Sequence, residues 1–227
     1  MVPLQLDWIH IQEILDKWKP GWTEADWWGL DNPFEKLLGS ILVQHTTWSN
    51  ASRGLKRLRA KGWNRSERVA RVPDEQLMEA IRPAGFYQNK AATIHRVCRW
   101  LNGYGGIRPV AANFSRDRLR EELLTIKGIG PETADMLLLY VFGKTSFIGD
   151  TYTRRLMLRL RGVKMDDRDI RQSVLSQIRN QDVLRRFHAL IVELGKEHCK
   201  KRRPRCHSCP FREECIYVEA GGETGGR

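Results

Sequence analysis

Leu124-Thr125-Ile126-Lys127-Gly128-Ile129-Gly130-Pro131-Glu132-Thr133-Ala134 joins two stretches of helical pattern. Upstream, residues 118–124 repeat apolar side chains at helical spacing, and residues 131–142 do the same downstream. Between them Gly128 and Gly130 allow positive φ and leave backbone N–H groups open to a closely approaching anion. Pro131 suits the first helical position, where its missing N–H costs nothing. The stretch reads as helix, tight glycine turn and second helix, and that second N-terminus is a natural seat for a phosphate. A simple link between packed helices would carry the same glycines, so the turn alone leaves both readings open.

Outward from this turn the pattern stays helical. Apolar stripes run through 8–18, 34–43, 75–81 and 90–101, and through 183–198, where Val183, Leu184, Phe187, Leu190, Ile191 and Leu194 share one face. Pro20-Gly21, Pro73, Pro83, the glycines from 103 to 106 and Gly143 punctuate the stripes. No alternating strand pattern persists and no repeat of solenoid length appears. The expectation is an all-α protein with a small, polar, disordered tail at 221–227.

At 227 residues and 41% hydrophobic content the chain can bury a sizeable core in one or two domains. Its formal charge of +12 and pI of 9.8 point to a polyanionic partner. The charge is uneven: residues 1–50 carry three Lys/Arg against seven Asp/Glu, so the excess lies beyond them. No basic segment followed by an apolar core marks a secretory signal, and the longest apolar run, 136–142, is too short for a bilayer. We expect a soluble, intracellular (cytoplasmic) protein.

Four of the five cysteines cluster: Cys199, six residues, Cys206, two residues, Cys209, five residues, Cys215. That grouping with an odd total argues against a disulfide framework. Four thiolates suit an iron–sulfur cluster or zinc, and structural zinc more often takes two short C-x(2–4)-C pairs held apart by a longer segment. The first gap holds Lys200, Lys201, Arg202, Arg203 and Arg205, cations that the loop would present outward, to phosphates of a polyanion. Cys98 stands apart on an apolar helical face and reads as a small core residue.

Together, the hairpin at Gly128–Gly130, the Gly149-Asp150-Thr151 motif twenty residues on and the loop 199–215 resemble the helix-hairpin-helix DNA glycosylases of the endonuclease III superfamily. The resemblance spans nearly the whole chain and implies a DNA-binding hydrolase of base excision repair. Its fold would be a six-helix barrel domain at 32–141, with the hairpin at about 122–140, and a second domain of 1–31 plus 142–220. The second would hold a [4Fe-4S] cluster on Cys199, Cys206, Cys209 and Cys215. The partner implied is double-stranded DNA with a damaged base, bound by a monomer. Gln44 matches the family residue that fills the gap left by the flipped nucleotide; its plainer role is to end a helix.

Asp150 matches the catalytic aspartate, although an Asp there also suits a helix N-cap. Loss of a base leaves positive charge on the deoxyribose. A carboxylate at roughly 4 Å and an effective dielectric near 20 would stabilise it by about 4 kcal/mol, roughly a thousandfold in rate. Bifunctional members carry a lysine two residues after the second hairpin glycine, whose amine forms an imine with the sugar. Here that residue is Glu132, which cannot. Adenine-excising mismatch glycosylases carry a glutamate four residues before the Gln; here Ser40 stands there.

Asp26-Trp27-Trp28, Phe34-Glu35-Lys36-Leu37-Leu38-Gly39, Gln44-x-Thr46-x-Trp48, Arg82-Pro83-Ala84-Gly85-Phe86-Tyr87, Gly128-x-Gly130-x-Glu132-x-Ala134-Asp135 and Phe187-His188-x-x-Ile191-Val192-Glu193 resemble the 3-methyladenine glycosylase branch. Well-known members of that branch lack the cluster, whereas the cysteine loop is intact here. Alkylated purines carry delocalised positive charge, which electron-rich rings attract, so Trp27, Trp28 and Trp48 are candidate stacking residues. Lys196 is a further pocket candidate. His45 and His188 read as structural. The expected activity is therefore a monofunctional glycosylase acting on an alkylated purine such as 3-methyladenine. The alternatives are a glycosylase/AP lyase on oxidised pyrimidines, using an amine such as Lys127 or Lys144, and a non-catalytic binder of damaged DNA.

Overall fold

A computed structural model describes residues 6–222. The fold is all-α, with no strand among those residues. The helices are α1 Trp8–Trp18, α2 Glu24–Trp28, α3 Pro33–Leu42, α4 Trp48–Ala60, α5 Ser66–Val69, α6 Asp74–Ile81 and α7 Tyr87–Gly103. They continue as α8 Ile107–Asn113, α9 Arg116–Thr125, α10 Pro131–Tyr140, α11 Thr151–Arg161, α12 Asp167–Gln177, α13 Gln181–Glu197 and α14 Ile216–Glu219. Polar side chains start many of them: Asp7, Asn32, Thr47, Ser115, Asp166 and Asn180 each accept a hydrogen bond from a first-turn amide, satisfying donors a helix leaves open.

The chain divides into two compact units, one of them Trp28–Lys144 and the other made of the segments on either side. In the first, α7 packs on α3, α5 and α6, while α10 packs on α3 and α9. Leu37, Leu38, Ile41, Leu77, Ile94, Leu101, Leu123 and Leu138 are fully or almost fully buried in that core. In the second, α13 packs on α1 and α11, and Trp8, Ile11, Leu15, Phe147, Met157, Phe187 and Leu190 fill the interior. Trp8 and Phe187 meet edge to face at 6.1 Å. Of the expected tail, Gly221 and Gly222 close the last turn, their N–H groups donating to Val218 O and Tyr217 O at 2.9 Å. Residues 223–227 lie outside the described residues.

Candidate functional site

The hairpin between α9 and α10 is built round one crowded glycine and one open one. Gly128 has φ +103°, and a Cβ there would lie 2.0 Å from Thr93 Oγ1 on α7, so both conformation and space require glycine. Arg96 Nη1 donates to Lys127 O at 3.0 Å and fastens the turn to α7. Gly130 departs from the positive-φ expectation: its φ is −93° and ψ 177°, an extended conformation open to any residue. A Cβ there would meet nothing within 4 Å. No side chain caps the first turn of α10, where Pro131 takes N1 as expected and Glu132 is exposed.

Gln44 belongs to the same edge. It follows the end of α3, and its Nε2 donates to Gly128 O (3.2 Å) and Thr133 Oγ1 (2.9 Å). Next to it His45 takes φ +54°. The sequence reading passed over what anchors this edge. Lys90 of α7 is 3% exposed and donates through Nζ to Leu42 O and Ala84 O, each at 2.9 Å. Burial pushes its ammonium down to about 8, and the two carbonyls favour the charged form. Just past Ala84, Phe86 takes φ +46°, is 66% exposed and meets the His45 ring at 6.1 Å. A lysine at the head of an apolar stripe was the signal for Lys90; the exposure of Phe86 had none.

Two of the candidate tryptophans come together in this unit. Trp28 is buried, its ring 5.4 Å from Trp48 and 5.6 Å from Tyr140. A Cβ at Gly39 would stand 2.9 Å from Trp28 Cζ3, which explains that glycine by space. Beside it Ser40 is buried, and its hydroxyl donates to Lys36 O at 2.9 Å. Cys98 is wholly buried, and burial raises its thiol to about 12.

In the other unit Asp150 caps α11. Its Oδ1 accepts from Tyr152 N (3.0 Å), Thr153 N (2.8 Å) and Thr153 Oγ1 (3.0 Å), and its Oδ2 lies 3.7 Å from His188 Nε2. Burial alone would raise this carboxyl; His188 and Thr153 outweigh it and hold Asp150 below the ordinary carboxylate value. The His188 side chain is only 2% exposed. Trp27 and Phe147 meet its ring edge to face at 5.6 and 6.0 Å. Trp27, His188 and Asp150 thus form one group. A Cβ at Gly149 would lie 2.5 Å from Asp167 Cα, so glycine lets α12 approach and fixes where Asp150 sits. Lys196 is exposed, 3.3 Å from Glu193 Oε2.

The far half of α11 grips the cysteine loop. Arg155 Nε donates to Cys199 O (2.7 Å), and Arg159 Nη1 donates to Lys200 O (2.7 Å) and Cys199 Sγ (3.4 Å). Cys215 Sγ donates to Arg159 O at 3.3 Å. All four thiols line one cavity with Leu156, Arg159 and Phe211. Burial, reinforced by the other three cysteines, pushes the Cys209 thiol up to about 11. Among the described residues no three His, Cys, Asp or Glu side chains close on a point that would hold a single metal ion. Lys201, Arg202, Arg203 and Arg205 are exposed and Lys200 is half-buried.

An all-α chain with a glycine hairpin and an ionised aspartate at a helix start fits the DNA repair glycosylases. Residues 38–179 match the HhH-GPD superfamily of base excision DNA repair proteins, and the chain belongs to that family. A provisionally named DNA repair glycosylase of Methanocaldococcus jannaschii is 35% identical over 199 residues, 84% of this chain and 89% of that one. Thermotoga maritima endonuclease III is 28% identical over 93% of each chain. Among solved structures, a non-covalent endonuclease III–DNA complex superposes with a TM-score of 0.78 at 26% identity, covering 96% of this chain and 100% of that one. The Helicobacter pylori 3-methyladenine DNA glycosylase bound to 1,N6-ethenoadenine gives 0.72 at 26% identity, covering 84% and 98%. No helix among the described residues is long and apolar enough to cross a membrane.

Proposed function

We propose that this glycosylase is monofunctional and hydrolyses the N-glycosidic bond of a flipped alkylated purine such as 3-methyladenine. The observation that carries the reading is the Asp150 carboxylate, held ionised at the head of α11 with Oδ1 engaged and Oδ2 toward His188. An ionised group there stabilises the sugar cation and orients the attacking water, but does not protonate the departing base. Ser40 does not supply that acid either, since its hydroxyl donates to Lys36 O. A base that already carries positive charge leaves without one. Trp27 supports the choice, offering an electron-rich ring against the histidine that faces Asp150. Trp28 and Trp48, whose rings meet at 5.4 Å in the other unit, are further candidate stacking residues, and Lys196 is a polar candidate. Gln44, seated on Gly128, fills the gap in the duplex, with the exposed Phe86 ring at the same edge. Gly128, Gly130 and the cations from Lys200 to Arg205 bind phosphate.

Glu132 in the first turn of α10 supports the absence of lyase chemistry, because a carboxylate forms no imine. The similarity to endonuclease III favours one competing reading, a glycosylase/lyase using Lys127 or Lys144. Duplexes carrying a panel of lesions separate the two. Cuts that need hot alkali, with no adduct trapped by borohydride, are expected; strand breaks without alkali, or a trapped adduct, would place the protein in the lyase class.

We also infer that Cys199, Cys206, Cys209 and Cys215 hold a [4Fe-4S] cluster. The donor set supports it: four thiols share one cavity, and burial with the other three cysteines disfavours ionisation of Cys209, which a cationic iron centre would reverse. Arg159 on Cys199 Sγ would offset the negative charge of the bound thiolates. Cys199 and Cys206, two of the residues that would hold the cluster, stand at the two ends of the basic loop. We take the protein to act as a monomer.

A further inference from the structure

α4 buries Ala51, Gly54, Leu55 and Leu58, one stripe at helical spacing. The rest of the helix and the turn into α5 are basic. Between 53 and 71 the chain carries eight Lys/Arg, every one exposed, against a single acid, Glu67. These nineteen residues hold a net charge of +7, more than half of the +12 of the whole chain. None of the DNA-binding roles assigned above uses them.

Like charges gathered this closely repel one another, so folding gives no reason to collect them. Internal pairing does not explain them either. Among the described residues Arg59 is the one member that makes an ion pair, with Glu35. Arg57 reaches the Glu79 carbonyl at 3.4 Å, and the Lys61 ammonium lies over the Trp63 ring. Lys56, Arg65 and Arg71 extend the exposed field on either side.

We propose that this α4–α5 face is a second surface for the phosphate backbone of DNA, outside the lesion site, used while the protein is held on long undamaged duplex. It goes beyond the glycosylase reading and rests on it only for the presence of DNA. Placement favours DNA over an acidic protein segment. α4 starts at Trp48, just after Gln44, and rises about 1.5 Å per residue. Lys56 and Lys61 therefore lie roughly 12 to 20 Å along from that start, a distance spanned by about four to six base pairs. The cations thus lie along the helix that begins just after Gln44, at a spacing that a phosphate array can follow.

The test is a variant with Lys56→Gln, Lys61→Gln, Arg65→Gln and Arg71→Gln, all at exposed positions, with Lys56→Gln/Lys61→Gln as a milder form. Affinity for a long undamaged duplex would be measured against salt, and single-turnover excision on a lesion duplex only about ten base pairs long. The log–log salt slope should flatten by about 0.9 for each phosphate no longer neutralised, two or more in all. Excision from the short duplex should stay within twofold of wild type, while excision of a lone lesion in long DNA at limiting protein falls severalfold. An unchanged slope would make the face solvated or the seat of a protein partner, and an equal fall on the short duplex would make it part of the lesion site. Either overturns the proposal. Failure of wild type to bind long duplex would instead sink the functional reading itself.

Discussion

α10 begins on Gly130, which offers no side-chain cap, whereas α11 begins on Asp150, which accepts from two amides and a hydroxyl. Both starts expose the positive end of a helix. At α10 nothing stands within 4 Å of the place a Cβ would occupy, which leaves room for an outside anion. At α11 that end is answered from within, which fixes a carboxylate in one orientation and turns its second oxygen toward His188. On the proposed reading, one device, a helix N-terminus, serves binding when bare and chemistry when sealed.

Three experiments press on that contrast. Asp150→Asn keeps the size and most of the capping of the residue but removes its charge. It should bind lesion DNA nearly normally while base release falls about a hundredfold to a thousandfold. Near-normal excision by a folded variant would reduce Asp150 to a cap. The converse is Gly130→Asp, which seals the bare end. Its extended backbone accepts an N-cap, so stability should rise by a few tenths of a kcal/mol. DNA affinity should fall about tenfold, because the new carboxylate occupies and repels the anion seat; equal affinity would show that phosphate does not sit there.

The smallest effect is on the acid side. The folded Asp150 carboxyl lies below its ordinary value, so its contribution is present above the unfolded pKa of about 4 and is lost as pH falls through the folded one. The stability gap between wild type and Asp150→Asn in urea melts should therefore be steady above about pH 5 and narrow below it. A gap that widens in acid would mean the carboxylate is not held ionised.

Much of this was written locally in the chain. Helices with wide apolar stripes, the glycine hairpin, an Asp before Thr151 and the cysteine spacing need only near neighbours to be read. α4 escaped because its buried face is Ala51, Gly54, Leu55 and Leu58, with little apolar bulk among many cations. α12 escaped for a similar reason, burying Ile170 and Val174 alone. The approach of His188 to Asp150, 38 positions away in sequence, leaves no local trace. Gly130 misled in a different way: the sequence permits positive φ there, but the hairpin uses it at Gly128, where Thr93 crowds the turn. Adjacent tryptophans likewise gave no hint that Trp28 would pack on Trp48 and Tyr140 while Trp27 faces His188.

Lys90 brings together stretches of chain that would otherwise loosen separately. Its bond to Leu42 O spans 48 positions and its bond to Ala84 O spans six, so one ammonium closes a long loop and a short one at once. Releasing either carbonyl strands a buried charge, and that cost falls on both loops together. The segments around Gln44 and Phe86 therefore share a single opening event. Their amides should exchange hydrogen as one cooperative unit, at a rate set by the stability of that one buried amine rather than by the exposure of each loop.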